Sequence, residues 1–129
     1  MKKKYLIVIA NYYKDISNGL LSSALKIIPK SNLIRIIQVP GVFEIPVTIS
    51  KNIKKYDGFL ALGCVIKGET PHFDFISAST TNAIMNLSID YKKPIGNGII
   101  TCLNMRQAKA RKKKGAEAAD AVISILSQK

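Results

Sequence analysis

FLALGCVIKGETPHFDF, the stretch from Phe59 to Phe75, decides the architecture. Phe59–Ile66 is almost wholly apolar, as a strand buried on both faces must be. Asp57-Gly58 marks the turn into it, and a short polar loop leads out of it to a helix over Phe73–Ile89. The same strand–loop–helix unit recurs on either side. Upstream, Tyr5–Ala10 (YLIVIA) is a second buried strand. Ser17 is a candidate N-cap for a helix whose apolar residues Leu20, Leu21, Ala24, Leu25 and Ile28 recur at helical spacing as far as Pro29. Leu33–Val39 reads as a strand, and Pro46 opens a helix in which Ile49 and Ile53 lie one turn apart. Downstream, Pro94 ends a linker and Ile95–Cys102 is the last strand, where Gly96 and Gly98 suggest a close backbone approach or a bulge. Met105–Leu126 is a last helical region, with Gly115 as its expected break.

Repeated strand–helix units of this kind imply an α/β fold, a three-layer α/β/α sandwich around a mainly parallel four-stranded sheet. No internal repeat, low-complexity linker or change of composition divides the chain, so residues 1–129 read as a single domain. The hydrophobic share of 47% and charged share of 22% are those of a globular protein. Two cysteines, Cys64 and Cys102, both lie in apolar runs, which suits reduced buried thiols rather than a disulfide framework. The apolar run after Lys4 is too short for a secretory signal and no stretch approaches a membrane span, so a cytoplasmic location is expected. The net charge of +12 could point to nucleic acid or a phosphorylated ligand, yet most lysines are scattered as on a solvated surface. Neither basic run, Lys2–Lys4 or Arg111–Lys114, interleaves aromatics, so neither nucleic acid nor a membrane is expected as a partner.

Open parallel sheets bind ligands beyond the carboxyl ends of their strands. There the sequence gathers Asn11-Tyr12-Tyr13, then Val39–Pro46 (VPGVFEIP), then Cys64–Asp74 (CVIKGETPHFD) with the only histidine, His72. Taken singly, Tyr12 and Phe43 read better as core aromatics, while Glu44 reads as well as a surface acid or first-turn charge and His72 as a helix-start residue without chemistry. Together they suggest a site. Gly68-Glu69-Thr70 passes from strand to helix, where free N–H groups and the helix dipole hold an anion such as phosphate. Asp74, two residues from His72 on the same helix, does not face it. One histidine and two separated cysteines give no metal-ligand cluster, and neither a GxGxxG turn nor a Walker lysine supports a nucleotide cofactor. The nucleophile elbow of a serine triad is missing as well.

VPGVFEIP (Val39–Pro46) and LGCVIKGETPHFDF (Leu62–Phe75) resemble the signature segments of the lumazine synthase family. PIGNGIIT (Pro94–Thr101) and QAKARKKKGAEAA (Gln107–Ala119) resemble two further segments in the same order. The resemblance implies a flavodoxin-like sheet and a transferase of riboflavin biosynthesis. It would join 5-amino-6-ribitylaminouracil to 3,4-dihydroxy-2-butanone 4-phosphate, giving 6,7-dimethyl-8-ribityllumazine, phosphate and water without cofactor or metal. It also implies roles position by position. His72 would transfer protons and Tyr12 would stack on the pyrimidine. Val42, Phe43 and Glu44 would contact the pyrimidine and ribityl chain, with Cys64, Val65 and Ile66 along the pyrimidine edge. Glu69 and Thr70 would bind phosphate through main-chain N–H groups, and Arg111 would pair with that phosphate, assisted by Lys114. The implied partners are the two small substrates and further copies of the chain, in a pentamer whose pockets are shared between neighbours. Three departures stand out: Asn97 takes the place of a Phe that most members present to the neighbour's substrate, Arg111–Gly115 is a shortened turn, and the arm before Tyr5, which in the family often adds a strand to an adjacent subunit, is short. Asn97 keeps a second reading open, a paralogue that only binds a flavin-like ligand. The net charge leaves a third, a basic nucleic-acid module.

Overall fold

In this computed structural model, which describes residues 2–128, the sheet is built around its first strand. β1 (Lys4–Ala10) pairs in parallel with β2 (Leu33–Val39) on one side and with β3 (Gly58–Ile66) on the other. β4 (Ile95–Cys102) adds to the far edge of β3, also parallel, giving the order β2-β1-β3-β4. All four strands run one way, so every connection must cross over the sheet, and helices cover both faces.

Alternate residues of the central strands feed two separate cores. Tyr5, Ile7 and Ile9 of β1 and Leu60, Leu62 and Cys64 of β3 face α1 (Lys14–Ile27) and α5 (Lys114–Leu126), meeting Ile16, Leu20, Ala24, Ala119 and Val122. Leu6, Val8 and Ala10, with Phe59 and Ala61, face α2 (Ile45–Asn52) and α3 (His72–Tyr91), meeting Ile45, Ile49 and Ile84. Leu20, Leu60 and Ile49 are wholly buried, each contributing about 1.5–3 kcal/mol relative to exposure. Outer strand β2 is buried on neither face throughout, which its mixed sequence LIRIIQV reflects. The three-layer α/β/α reading therefore holds, with the sheet wholly parallel.

Helix boundaries depart from the sequence reading in three places. Ser17 does not cap α1; the helix starts at Lys14, with Tyr13 at the capping position. Ser17 is buried inside the first turns and donates its hydroxyl to the Ala10 carbonyl at 2.5 Å, tying the helix to the end of β1. The last helical region is two helices, α4 (Met105–Ala110) and α5, and the break falls at residues 111–113 rather than at Gly115. Gly115 instead lies in the first turn of α5 against α1, where a Cβ would collide with the Leu20 carbonyl oxygen. Third, α3 is longer than expected at both ends, from His72 to Tyr91, and stops where Lys92 turns left-handed at φ 55°. Gly96 meets the expectation of a close approach: a Cβ there would strike the Ala118 carbonyl of α5. Among the described residues no helix is long and apolar enough to cross a membrane.

Candidate active site

Three loops at the carboxyl ends of β1, β2 and β3 meet around a cavity of about 640 Å³. The first loop brings Tyr12, 75% exposed, whose ring meets that of Tyr13 edge to face at 4.8 Å and 81°. Phe43, on the second, is 63% exposed, so neither Tyr12 nor Phe43 is a core aromatic. Exposed on one cavity, the two rings offer a ligand an apolar surface.

The second loop is a short 3₁₀ turn, Val42–Glu44, that ties itself shut. Glu44 Oε1 accepts the Gly41 N–H at 3.0 Å while the Glu44 N–H donates to the Gly41 carbonyl at 3.2 Å. This reciprocal pair fixes the carboxylate at the cavity wall and leaves Oε2 free of protein partners among the described residues. Buried Val42 anchors the turn to the sheet, packed in the same core as Ala10 and Ile45.

Cys64, Val65 and Ile66 end β3 and form the cavity floor. Cys64 and Cys102 are free, buried thiols on adjacent strands, set diagonally because Cys64 pairs with Ile100 and Ile66 with Cys102. Burial pushes the Cys64 thiol up from 9.0 to about 12, and neighbouring Cys102 adds to the effect. A thiol so hard to ionise is a wall, not a nucleophile.

His72 is the first residue of α3 and lines the same cavity, its side chain exposed. Its imidazole makes no hydrogen bond within the described residues, with Asp74 or any other group, so both nitrogens are open to a ligand. Between β3 and α3, Glu69 and Thr70 are exposed and lie outside the residues lining the cavity. The loop starts with the Lys67 N–H on the Cys102 carbonyl at 2.8 Å. The N–H groups of Gly68, Glu69 and Thr70 donate to nothing among the described residues. Unused donors before a long helix suit an anion. No group of three or more His, Cys, Asp or Glu side chains that could hold a metal ion forms among the described residues.

The remaining candidates gather elsewhere. Asn97, Arg111 and Lys114 line a second cavity, of about 560 Å³, along the outer edge of β4. Arg111 Nη1 donates to the Thr101 carbonyl at 3.3 Å, and the Lys114 ammonium lies 3.5 Å from Glu117. That exposed pair is worth little, about 0–1 kcal/mol. Within one chain the candidate residues thus form two groups, one around His72 and one around Arg111. Sequence reading did not select Tyr13, Gly41 or Ile76, which also line the first cavity. Adjacency to Tyr12 was the available signal for Tyr13, and a position one turn after His72 was the signal for Ile76.

Comparison with known proteins bears on the whole chain. The family model described as 6,7-dimethyl-8-ribityllumazine synthase matches residues 2–129. A 6,7-dimethyl-8-ribityllumazine synthase of Bartonella bacilliformis is 42% identical over 134 residues, covering 96% of this chain and 88% of that protein. The one from Bartonella henselae is 43% identical over 138 residues, covering 99% of this chain and 89% of that protein. Agrobacterium fabrum supplies another, 38% identical over 143 residues, covering all of this chain (100%) and 97% of its own length. With its parallel sheet, its loop-built cavity and a match running from end to end, the chain belongs to the 6,7-dimethyl-8-ribityllumazine synthase family.

Proposed function

We propose that this chain condenses 5-amino-6-ribitylaminouracil with 3,4-dihydroxy-2-butanone 4-phosphate, with His72 as the proton-transfer group. One observation carries the reading: three strand-end loops converge exposed aromatics, a fixed carboxylate and an unpartnered imidazole on one cavity. The pyrimidine stacks on Tyr12 and Phe43, with its edge along Cys64, Val65 and Ile66. Glu44 Oε2 accepts hydrogen bonds from ribityl hydroxyls.

The amine nitrogen attacks the ketone carbon, and the carbonyl oxygen takes a proton to give a carbinolamine. Water leaves to form the Schiff base, and removal of the proton on the carbon next to the imine expels phosphate from the adjacent carbon. The resulting enol becomes a carbonyl that the ribitylamino nitrogen attacks with loss of a second water, closing the lumazine ring. His72 gives and takes the protons of these steps, a task suited to an imidazole near neutral pH. The Gly68–Thr70 N–H groups and the Arg111 guanidinium, assisted by Lys114, stabilise the departing phosphate charge. Holding both substrates on one face supplies much of the remaining acceleration.

Arg111, Lys114 and Asn97 reach a substrate at His72 from a neighbouring copy of the chain. Two features support that arrangement. The two groups of residues occupy separate cavities of one chain. Phe75, Ala78, Asn82, Met85 and Ile89 also form an exposed stripe on α3 at alternating spacings of three and four, and Phe75, Met85 and Ile89 are 67%, 57% and 62% exposed. Such a stripe fits a helix packed on copies of itself, in the pentamer that the family resemblance implies. A cytoplasmic site of action accords with the free thiols. Lumazine formation from the two purified substrates tests the reading directly. A folded protein that binds the pyrimidine but forms no lumazine would leave the ligand-binding paralogue in its place.

A further inference from the structure

Arg111 stands at the break between α4 and α5, and a third helix holds that break. Ser23 of α1 lies 89 residues from Lys112 in sequence, yet its Oγ is 3.0 Å from the Lys112 carbonyl oxygen. The same Oγ is 3.0 Å from the Leu20 carbonyl and accepts the Ala116 N–H at 3.0 Å. A serine hydroxyl has one proton and two lone pairs. Its proton is shared between the carbonyl of its own helix and that of Lys112, while a lone pair takes Ala116, whose N–H also reaches Lys113 O at 3.0 Å. One turn earlier on α1, Gly19 leaves room for the aliphatic stem of Lys112, which a Cβ would meet at 2.5 Å. Gly115 lets the start of α5 sit on the Leu20 carbonyl. The face of α1 from Gly19 to Ser23 is thus fitted to residues 112–116.

Residues 111–114 are four consecutive cations, RKKK, of which Arg111 and Lys113 are exposed. Like charges so close repel one another, and their own repulsion drives this segment to spread apart. Ser23 opposes that from the side, on the residue next to Arg111. The arginine is then held from both ends, its guanidinium on the Thr101 carbonyl at 3.3 Å and the Cys102 sulfur at 3.9 Å, its backbone beside the anchored Lys112.

We propose that Ser23 is a positioning residue for the phosphate-bearing substrate, acting through Arg111 without touching the substrate. The proposal rests on the reading that Arg111 meets the phosphate. Removing the hydroxyl takes away the one protein partner of the Lys112 carbonyl among the described residues and leaves the break free to rearrange.

The experiment compares Ser23→Ala, Ser23→Thr, Arg111→Ala and the Ser23→Ala/Arg111→Ala double variant. It reads kcat, KM for each substrate, inhibition by inorganic phosphate and the urea unfolding midpoint. Ser23→Ala raises KM for the phosphorylated substrate and weakens phosphate inhibition by roughly fivefold, about the worth of one hydrogen bond. KM for the pyrimidine stays unchanged. Ser23→Thr, which keeps the hydroxyl, restores phosphate inhibition, and the double variant is no weaker toward phosphate than Arg111→Ala alone. Should Ser23→Ala not fold, Ser23→Cys, near-isosteric and a poorer donor, carries the same readings. Losses that add in the double variant, or a Ser23→Ala effect confined to the unfolding midpoint, overturn the proposal. A selective Arg111→Ala beside a silent Ser23→Ala overturns the positioning role alone, whereas an Arg111→Ala without phosphate effect removes both it and the reading beneath it.

Discussion

Asn97 Oδ1 accepts the N–H of Ile99, two residues along its own strand, at 3.1 Å. The amide therefore occupies a donor on the free edge of β4 and keeps its side chain exposed beside Arg111 and Lys114. In the proposed reading Asn97 stands where the family resemblance implies an aromatic wall. Asn97→Phe is expected to tighten pyrimidine binding several-fold, since an aromatic pair contributes about 0.5–1.5 kcal/mol beyond area burial. Binding of the phosphorylated substrate changes little. Titration of the pyrimidine into both proteins decides it, and unchanged or weaker binding in the variant means that the ring finds no stacking partner.

His72→Ala is expected to lower turnover by roughly 10²- to 10⁴-fold, the usual contribution of a positioned acid–base group. Its side chain is exposed at the start of α3, so circular dichroism and the unfolding midpoint should stay those of the parent. Equal turnover in the folded variant would remove His72 from the chemistry.

Arg111→Ala should act on one substrate only. A charge-assisted hydrogen bond is worth about 1.5–3 kcal/mol, which is roughly a 10- to 150-fold loss of affinity for the phosphorylated substrate. The guanidinium also bonds the Thr101 carbonyl, so a small loss of stability accompanies it. Equal damage to the affinities of both substrates would make that second bond, and not phosphate recognition, its purpose.

Stability should fall in alkaline solution for a definable reason. Burial raises the thiol of Cys64 from 9.0 to about 12, and raises the hydroxyls of Tyr5 and Tyr13 in the same direction. A raised acid holds its proton longer when folded than when unfolded. Its contribution is therefore complete below the unfolded value and is lost as pH climbs through the folded one. Unfolding free energy should decline from about pH 9 toward pH 12, and Cys64→Ala should flatten the slope. An identical pH profile in that variant would assign the decline to other groups.

Gly96→Ala places a methyl group against the Ala118 carbonyl of α5. Backbone cannot yield as a flexible side chain does, so the variant should lose about 1–3 kcal/mol, as overpacked interiors do. Urea unfolding measures it, with the slope unchanged if only the native state is strained. A neutral result would show that α5 shifts freely along the sheet.

All four strands could be read almost to the residue: β1 and β3, buried on both faces, leave unbroken apolar runs, and the outer strands β2 and β4 are marked instead by β-branched residues between turn signals. Helix ends were less legible because distant groups set them. Ser17 has the chemistry of a cap, but the Ala10 carbonyl claims its hydroxyl. Gly115 looks like a break from sequence alone, whereas its small size serves contact with Leu20 of α1 and the break falls at residues 111–113. Tyr12, Phe43, Glu44 and His72 followed from the rule that parallel sheets bind ligands at strand carboxyl ends. Arg111 and Lys114 had no such guide, since nothing local in a run of lysines distinguishes one that meets a ligand from one that meets water. Only the resemblance between whole segments singled them out.

The central place of β1 has a kinetic consequence. Its hydrogen-bond partners, β2 and β3, begin at Leu33 and Gly58, so no neighbour in sequence can complete its ladder. A nascent chain that ends before β3 carries the apolar segment YLIVIA with one of its two edges bare. Parallel pairing across such separations is slow, and the exposed segment is prone to aggregate while it waits. Yield from fast overexpression should therefore depend on how soon β3 emerges and docks, and slower synthesis at low temperature should recover more of the native protein.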